Sequence, residues 1–96
     1  MFDSLGRMRV HGSSQNEARL DRVQSLTRAF GILDVLVEQP NGLNLTEISR
    51  IVGLPRSTSH RLLSTLNSLA YVEFDMATTR WLLGRQAYKL GRAFVA

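Results

Sequence analysis

Hydrophobic residues recur at helical spacing over most of the chain, and the clearest case is segment 23–39. Its apolar positions follow one another at steps of three and four, which marks one stripe of a helix: Val23, Leu26, Phe30, Leu33 and Val37. Ala29, Ile32 and Leu36 widen this stripe, and the turn Pro40-Asn41-Gly42 ends the helix. The stripe is broad for one small domain, so we expect part of it to face a second subunit.

Two further helices are predicted after this turn. In the segment LNLTEISRIVG, residues 43–53, Ile48, Ile51 and Val52 face inward and Gly53 suits a left-handed C-cap. Its N-cap has two alternatives, Asn44 with Glu47 or Thr46 alone. The next helix covers residues 55–69, with proline in its first turn, where a missing N–H costs nothing.

The third helix has two chemically different sides. At about 100° per residue, one side collects the apolar residues Leu62, Leu63, Leu66, Leu69 and Ala70. The opposite side collects Ser57, His60, Arg61, Ser64 and Ser68, with Arg56 and Asn67 on its flank. Thr58 lies beside the apolar stripe, and Ser59 falls on the inner side, where we expect it to pack or to cap.

A change of periodicity follows the third helix. The stretches 71–75 and 80–83 read as two short strands around the polar tip 76–79, so we expect a hairpin with Trp81 in its core. Residues 85–96 return to helical spacing, with Ala87, Leu90 and Phe94 on one side and Tyr88 beside them. This helix reaches Ala96 without a stop signal, so we expect the sequence to be cut within it.

The order of these elements predicts a mainly α fold with a small β-hairpin. A short helix, a tight turn and a helix with a polar outer face make a helix-turn-helix, and a hairpin after it makes the winged variety. We divide the chain into a flexible arm at 1–20, a winged helix-turn-helix at 21–84 and a last helix at 85–96.

Composition narrows the class of protein. The 96 residues suffice for one domain, and the absence of cysteine excludes disulfides and thiolate metal sites. No segment approaches the roughly 20 apolar residues of a membrane helix, and no signal peptide is recognisable, so we expect a cytoplasmic protein. His11 and His60 are far apart in the sequence, and we expect neither a metal nor a cofactor.

Positive charge is concentrated in the carboxy-terminal half. Residues 1–49 carry five Arg against six acidic residues, a net charge of −1, whereas residues 50–96 carry seven cations against two acids, a net charge of +5. Eleven of the twelve cations are Arg, the side chain suited to bidentate contact with phosphate or guanine. The basic half contains the third helix.

These features predict binding to double-stranded DNA, with the third helix in the major groove. The candidate contacts on this helix are Arg56, Ser57, Thr58, His60, Arg61 and Ser64. Thr79 and Arg80, at the hairpin tip, are placed to meet the flanking backbone or the minor groove. Ser25 and Arg28 on the first helix are either phosphate contacts or ordinary surface groups.

Other functions fit the sequence less well. A winged helix that binds proteins, with only incidental DNA binding, would use the broad first stripe, but a polar and basic third helix argues against it. An enzyme would need a convergent acid, base or nucleophile, and the sequence offers no such set. An RNA-binding variant would lack exposed aromatic residues for stacking.

The segments VQSLTRAFGILDVL, LNLTEISRIVGLPRSTSHRLLSTLNSLAYVEFD and RWLLGRQAYKLG resemble the amino-terminal DNA-binding domain of the IclR family of bacterial transcriptional regulators. The resemblance covers residues 22–94, about three quarters of the chain. It implies operator contacts by Arg56, Ser57, Thr58, His60 and Arg61. It also implies homodimer contacts through 23–39 and the linker helix 85–96, and a small-molecule effector domain that these 96 residues do not include.

Overall fold

The computed structural model describes residues 22–94, and its elements follow the predicted order. They are α1 (Gln24–Val37), α2 (Leu45–Val52), α3 (Arg56–Ser68), β1 (Val72–Asp75), β2 (Arg80–Leu83) and α4 (Arg85–Arg92). The predicted mainly α fold with a β-hairpin is therefore confirmed. The domain boundaries stay a prediction, and the arm at 1–20 lies outside the described residues. Within residues 22–94, no helix is long and apolar enough to cross a membrane.

Local signals define both ends of α2. The Glu47 N–H donates to Asn44 Oδ1 at 2.8 Å and the Asn44 N–H donates to Glu47 Oε1 at 2.9 Å. This reciprocal capping box selects Asn44 over Thr46 as the N-cap. Gly53 takes a left-handed φ of 73° at the other end, as predicted. Two residues later the chain enters α3, with Pro55 at its N-cap.

The hairpin, or wing, is joined to the rest of the domain by a short backbone bridge. β1 and β2 pair in antiparallel register, with Val72 opposite Leu83 and Asp75 opposite Arg80. Leu43 extends this sheet, because its N–H donates to the Trp81 carbonyl at 3.1 Å and its carbonyl accepts the Trp81 N–H at 2.7 Å. The bridge was not predicted.

Gly42 makes this bridge possible. Its φ is 80°, and a Cβ at this position would lie 2.6 Å from the Trp81 carbonyl oxygen. The glycine therefore both turns the chain after α1 and lets the α1–α2 connection approach β2 closely.

The core lies between α1, α2 and α3 and the inner side of the wing. It consists of Ile32, Leu36, Leu43, Ile48, Leu63, Leu66, Val72 and Trp81. The burial of Trp81 in the hairpin core confirms that prediction. Ser59 is fully buried as well, which confirms a packing role, and its hydroxyl has no hydrogen-bond partner within the described part of the chain.

The apolar stripe of α1 is covered by its own chain on one side only. Ile32 and Leu36 face the core, whereas Val23, Leu26, Phe30 and Val37 are all more than half exposed. Both sets have helical spacing, and only the side on which α2, α3 and β2 pack decides between them. The expectation that part of this helix faces a second subunit stays a prediction.

Two residues predicted to face inward, Ile51 and Leu69, lie outside the core, and Ile51 is 52% exposed. Leu69 is 57% exposed because α3 has already ended. The chain reverses there through Ala70, whose φ is 67°, and the Tyr71 N–H donates to the Leu66 carbonyl at 2.9 Å. In α4 no described residue is buried, and residues 22–94 leave Leu90 of the predicted stripe 59% exposed.

Candidate nucleic-acid interface

The outer face of α3 gathers most of the predicted contact residues. Ser59, Leu63 and Leu66 fix the inner side, which leaves Arg56, Ser57, His60, Arg61 and Ser64 exposed on the first turns of the helix. Thr58 is half-buried at the edge of this face. The helix contains two Arg and no acidic residue, so the face is polar and positively charged.

The beginning of α3 offers backbone donors to the same side of the molecule. Pro55 occupies the N-cap and makes no side-chain capping bond, so the first N–H groups of the helix have no side-chain acceptor there. Free N–H groups at a helix start favour an anionic ligand. This end of α3 therefore adds donors beside the hydroxyls of Ser57 and Thr58.

The wing completes one side of this face. Arg56 and His60 of α3 and Thr79 of the wing line one depression of about 510 Å³. Thr46, from the first turn of α2, lines it too and is exposed. Sequence reasoning considered Thr46 only as a capping alternative. Its place in the first helix of a helix-turn-helix, the helix that crosses the DNA backbone, is the signal that could have identified it.

Thr79 and Arg80 are presented differently. Thr79 is exposed at the tip with a left-handed φ of 56°, in a turn where Asp75 Oδ1 accepts the Ala77 N–H at 2.9 Å. Arg80 is half-buried, and its Nη1 donates to the Gly42 carbonyl at 3.0 Å. That bond uses one of the five guanidinium donors. Arg80 therefore has a structural bond in addition to any contact with DNA.

Ser25 and Arg28 lie away from the wing. They line a groove of about 830 Å³ between α1 and α3, together with Thr58 and Arg61. The other walls of this groove are mostly apolar and include Leu26, Phe30 and Leu69. The structure thus brings the predicted residues together in two groups, one toward the wing and one toward α1, with α3 shared by both.

Within residues 22–94, no group of three or more His, Cys, Asp or Glu is placed to hold a metal ion. His60 lies on the outer face of α3, whereas His11 falls outside the residues that the structure describes.

A three-helix core, a wing and a polar, basic third helix define a winged helix-turn-helix, a class of DNA-binding domain. Residues 25–76, more than half of the chain, match the model of the IclR helix-turn-helix domain. The chain therefore belongs to the IclR family of transcription regulators.

Relatives of known function agree with this assignment. The chain is 36% identical over 74 residues to the transcriptional repressor IclR of Escherichia coli, a match that covers 77% of this chain and 27% of that protein. It is 40% identical over 73 residues to the transcriptional regulator BhcR of Paracoccus denitrificans, covering 76% of this chain and 26% of BhcR. The chain thus spans about a quarter of the length of these two transcription regulators.

Solved structures show the same fold. The crystal structure of HmgR from Pseudomonas aeruginosa aligns with a TM-score of 0.69 and 32% identity, over 74% of this chain and 29% of HmgR. An IclR family regulator from Brucella abortus aligns with a TM-score of 0.71 and 29% identity, over 88% of this chain and 32% of that protein.

Proposed function

We propose that this chain binds double-stranded DNA sequence-specifically in bacterial transcriptional regulation, with α3 in the major groove. The observation that carries the proposal is the continuous exposed face of Arg56, Ser57, His60, Arg61 and Ser64, opposite a side that packs into the core through Ser59, Leu63 and Leu66. Short side chains near the start of the helix let its backbone approach the base edges, and Arg supplies bidentate donors for guanine.

The two groups of residues beside α3 have different roles in this proposal. Thr79 and Arg80 of the wing contact the flanking backbone or minor groove, next to Thr46 at the start of α2. Ser25 and Arg28 contact phosphates on the α1 side. Contacts to phosphate position the domain without reading sequence, whereas the contacts of Arg56 and Arg61 with base edges specify it.

We also propose that the chain works as a homodimer through α1 and α4. Leu26 and Phe30 on α1, Leu90 on α4 and Phe94 just after α4 are exposed apolar residues that no element of the described chain covers. A dimer would engage two half-sites about 34 Å apart. The action would take place in the cytoplasm, and the effector that the family resemblance implies has no residue assigned to it within these 96.

The first test is a fluorescence-anisotropy titration of the chain against pooled genomic fragments and a scrambled duplex, each at two salt concentrations. The proposal expects some fragments to bind at least about tenfold more tightly than the scrambled duplex, with the preference surviving higher salt. Equal binding to every duplex that disappears with salt would contradict sequence reading. Capture of a stable protein partner with no duplex binding would support the protein-interaction alternative instead.

A further inference from the structure

Trp81, the only tryptophan of the chain, links the wing to the outer face of α3. Its indole ring and the imidazole ring of His60 lie at a centroid distance of 6.2 Å and an interplanar angle of 79°, an edge-to-face arrangement. His60 is otherwise exposed, whereas Trp81 is only 7% exposed. A core residue of the wing thus contacts a residue of the proposed DNA-reading face.

The indole ring is held from several directions. The backbone of Trp81 is bridged to Leu43 by two hydrogen bonds, of 2.7 and 3.1 Å. Phe74 of the facing strand packs against the indole with ring centroids 4.7 Å apart. Because the indole is fixed in this way, it offers His60 a rigid surface, while an unsupported side chain on a helix surface would sample several rotamers.

We propose that Trp81 is a positioning residue for DNA recognition. Its indole holds the His60 imidazole in the orientation that base reading requires, and the same contact fixes the wing relative to α3. The inference rests on the proposed function. A side chain ordered before binding loses less conformational entropy in the complex. Trp81 would then contribute to sequence preference without touching DNA itself.

The contact also connects the two parts that must fit one duplex. His60 belongs to α3, which enters the major groove in the proposed complex, and Trp81 belongs to β2, which carries the wing tip. Both residues line the depression that Arg56 and Thr79 share. A change at Trp81 would therefore alter the wing and His60 together.

The pairing itself can be tested without DNA. In the nuclear Overhauser spectrum of the parent chain, we expect cross-peaks between the imidazole protons of His60 and the indole protons of Trp81. The variant His60→Ala assigns the imidazole signals, since His11 is the other histidine. Absence of these cross-peaks in the folded parent chain would overturn the inference, whatever the chain does with DNA.

The positioning role is tested with the duplex selected in the titration above and its scrambled version. Trp81→Phe should lower the preference for the selected duplex about two- to tenfold, the range that corresponds to one aromatic pair. Leu83→Val is the matched control, because Leu83 lies on the same strand as Trp81 and packs against the core, but does not line the depression that contains His60. It should keep the parent preference, and thermal unfolding by circular dichroism compares the stability of the two variants.

A double-mutant cycle separates positioning from simple core damage. Adding His60→Ala to Trp81→Phe should cost no further preference, since the imidazole has then already lost its support. Additive losses, an equal loss in Leu83→Val, or an unchanged preference in Trp81→Phe would each overturn the role. If Trp81→Phe does not fold, His60→Gln is used in its place. This variant should lose the same preference for the selected duplex, about two- to tenfold, while its unfolding temperature stays unchanged. Full preference in His60→Gln would overturn the role.

Failure of the proposed function is distinguishable from failure of this inference. A parent chain that binds all duplexes equally would overturn the proposed function and the positioning role together, even with His60–Trp81 cross-peaks present. A parent chain that prefers one duplex but lacks those cross-peaks would retain the proposed function and lose the inference alone.

Discussion

Two helices of this domain, α1 and α3, both carry apolar residues at helical spacing, but their own chain covers them very differently. Leu63 of α3 is fully buried and Leu66 nearly so, whereas Leu26 and Phe30 of α1 are 57% and 51% exposed. The apolar side of α3 is therefore used within the fold, and its polar side is left free for a ligand. Part of the apolar surface of α1 is still exposed, and surfaces of this kind typically mark interfaces.

The comparison teaches that amphipathicity alone does not locate a binding face. On α3 the face proposed to bind DNA is the polar one, because the packing of Leu63 and Ser59 holds that side outward. On α1 the face proposed to bind a second copy of the chain is apolar, and it lies next to the side of the helix that packs into the core. The predictions below test this contrast by changing one face at a time.

The largest effect is expected inside α3. Leu63→Ala should lower the free energy of unfolding by about 2–5 kcal/mol, since it removes fully buried apolar atoms and leaves a cavity. Ile51→Ala is the control, because Ile51 on α2 is 52% exposed and belongs to neither proposed interface. Its effect should stay within about 0.5 kcal/mol. Urea unfolding followed by circular dichroism compares the two variants, and equal losses would mean that Ile51 is covered as fully as Leu63.

The next effect concerns self-association through α1. Phe30→Glu should weaken homodimer formation by about 2–4 kcal/mol, since a charge would be buried in an apolar interface. Gln24→Glu introduces the same charge at an exposed polar position of the same helix and should leave association unchanged. Sedimentation equilibrium measures both. A Phe30→Glu variant that dimerises as well as the parent would place the dimer contact elsewhere.

A smaller effect is expected at the reading face. Arg61→Ala should reduce discrimination between the selected duplex and single-base variants by about 1–3 kcal/mol at the base that Arg61 contacts. Arg92→Ala on α4 removes the same charge from an exposed position outside α3 and should leave base discrimination unchanged. Anisotropy titrations measure both variants. If Arg61→Ala weakens all duplexes equally, Arg61 contacts phosphate and does not read bases.

Much of the fold could be predicted because its signals are local. The capping box of Asn44 and Glu47, the left-handed Gly53 and the two sides of α3 each depend on residues a few positions apart. What could not be predicted depends on how distant segments approach one another. The choice of Ile32 and Leu36 over Leu26 and Phe30 is one case, because both pairs have the same spacing and only tertiary packing separates them.

The same reason explains what sequence reasoning missed at the site. The bridge between Leu43 and Trp81 joins residues 38 positions apart in the sequence, so no local sequence pattern predicts it. Thr46 becomes a candidate contact only once α2 is seen beside Arg56 and the wing. The residues of the α3 face were found in advance because helical projection alone places them on one side.

The smallest effect concerns Arg80, where two roles compete. If Arg80 contacts phosphate, Arg80→Ala should weaken every duplex about equally and lower the salt slope of binding by about 1. If its bond to the Gly42 carbonyl is its only role, the same variant should lower the unfolding temperature and leave the salt slope unchanged.

Arg80→Lys helps to separate these two roles. Lysine keeps the positive charge, so the phosphate role expects the parent salt slope in this variant. Anisotropy titrations at several salt concentrations, with thermal unfolding of each variant, supply the measurements. An unchanged slope in Arg80→Ala would assign wing contacts to Thr79 and its neighbours and leave Arg80 to hold β2 against the α1–α2 connection. The wing would then resemble α3 in its organisation, with one residue fixing the element and its neighbours facing the ligand.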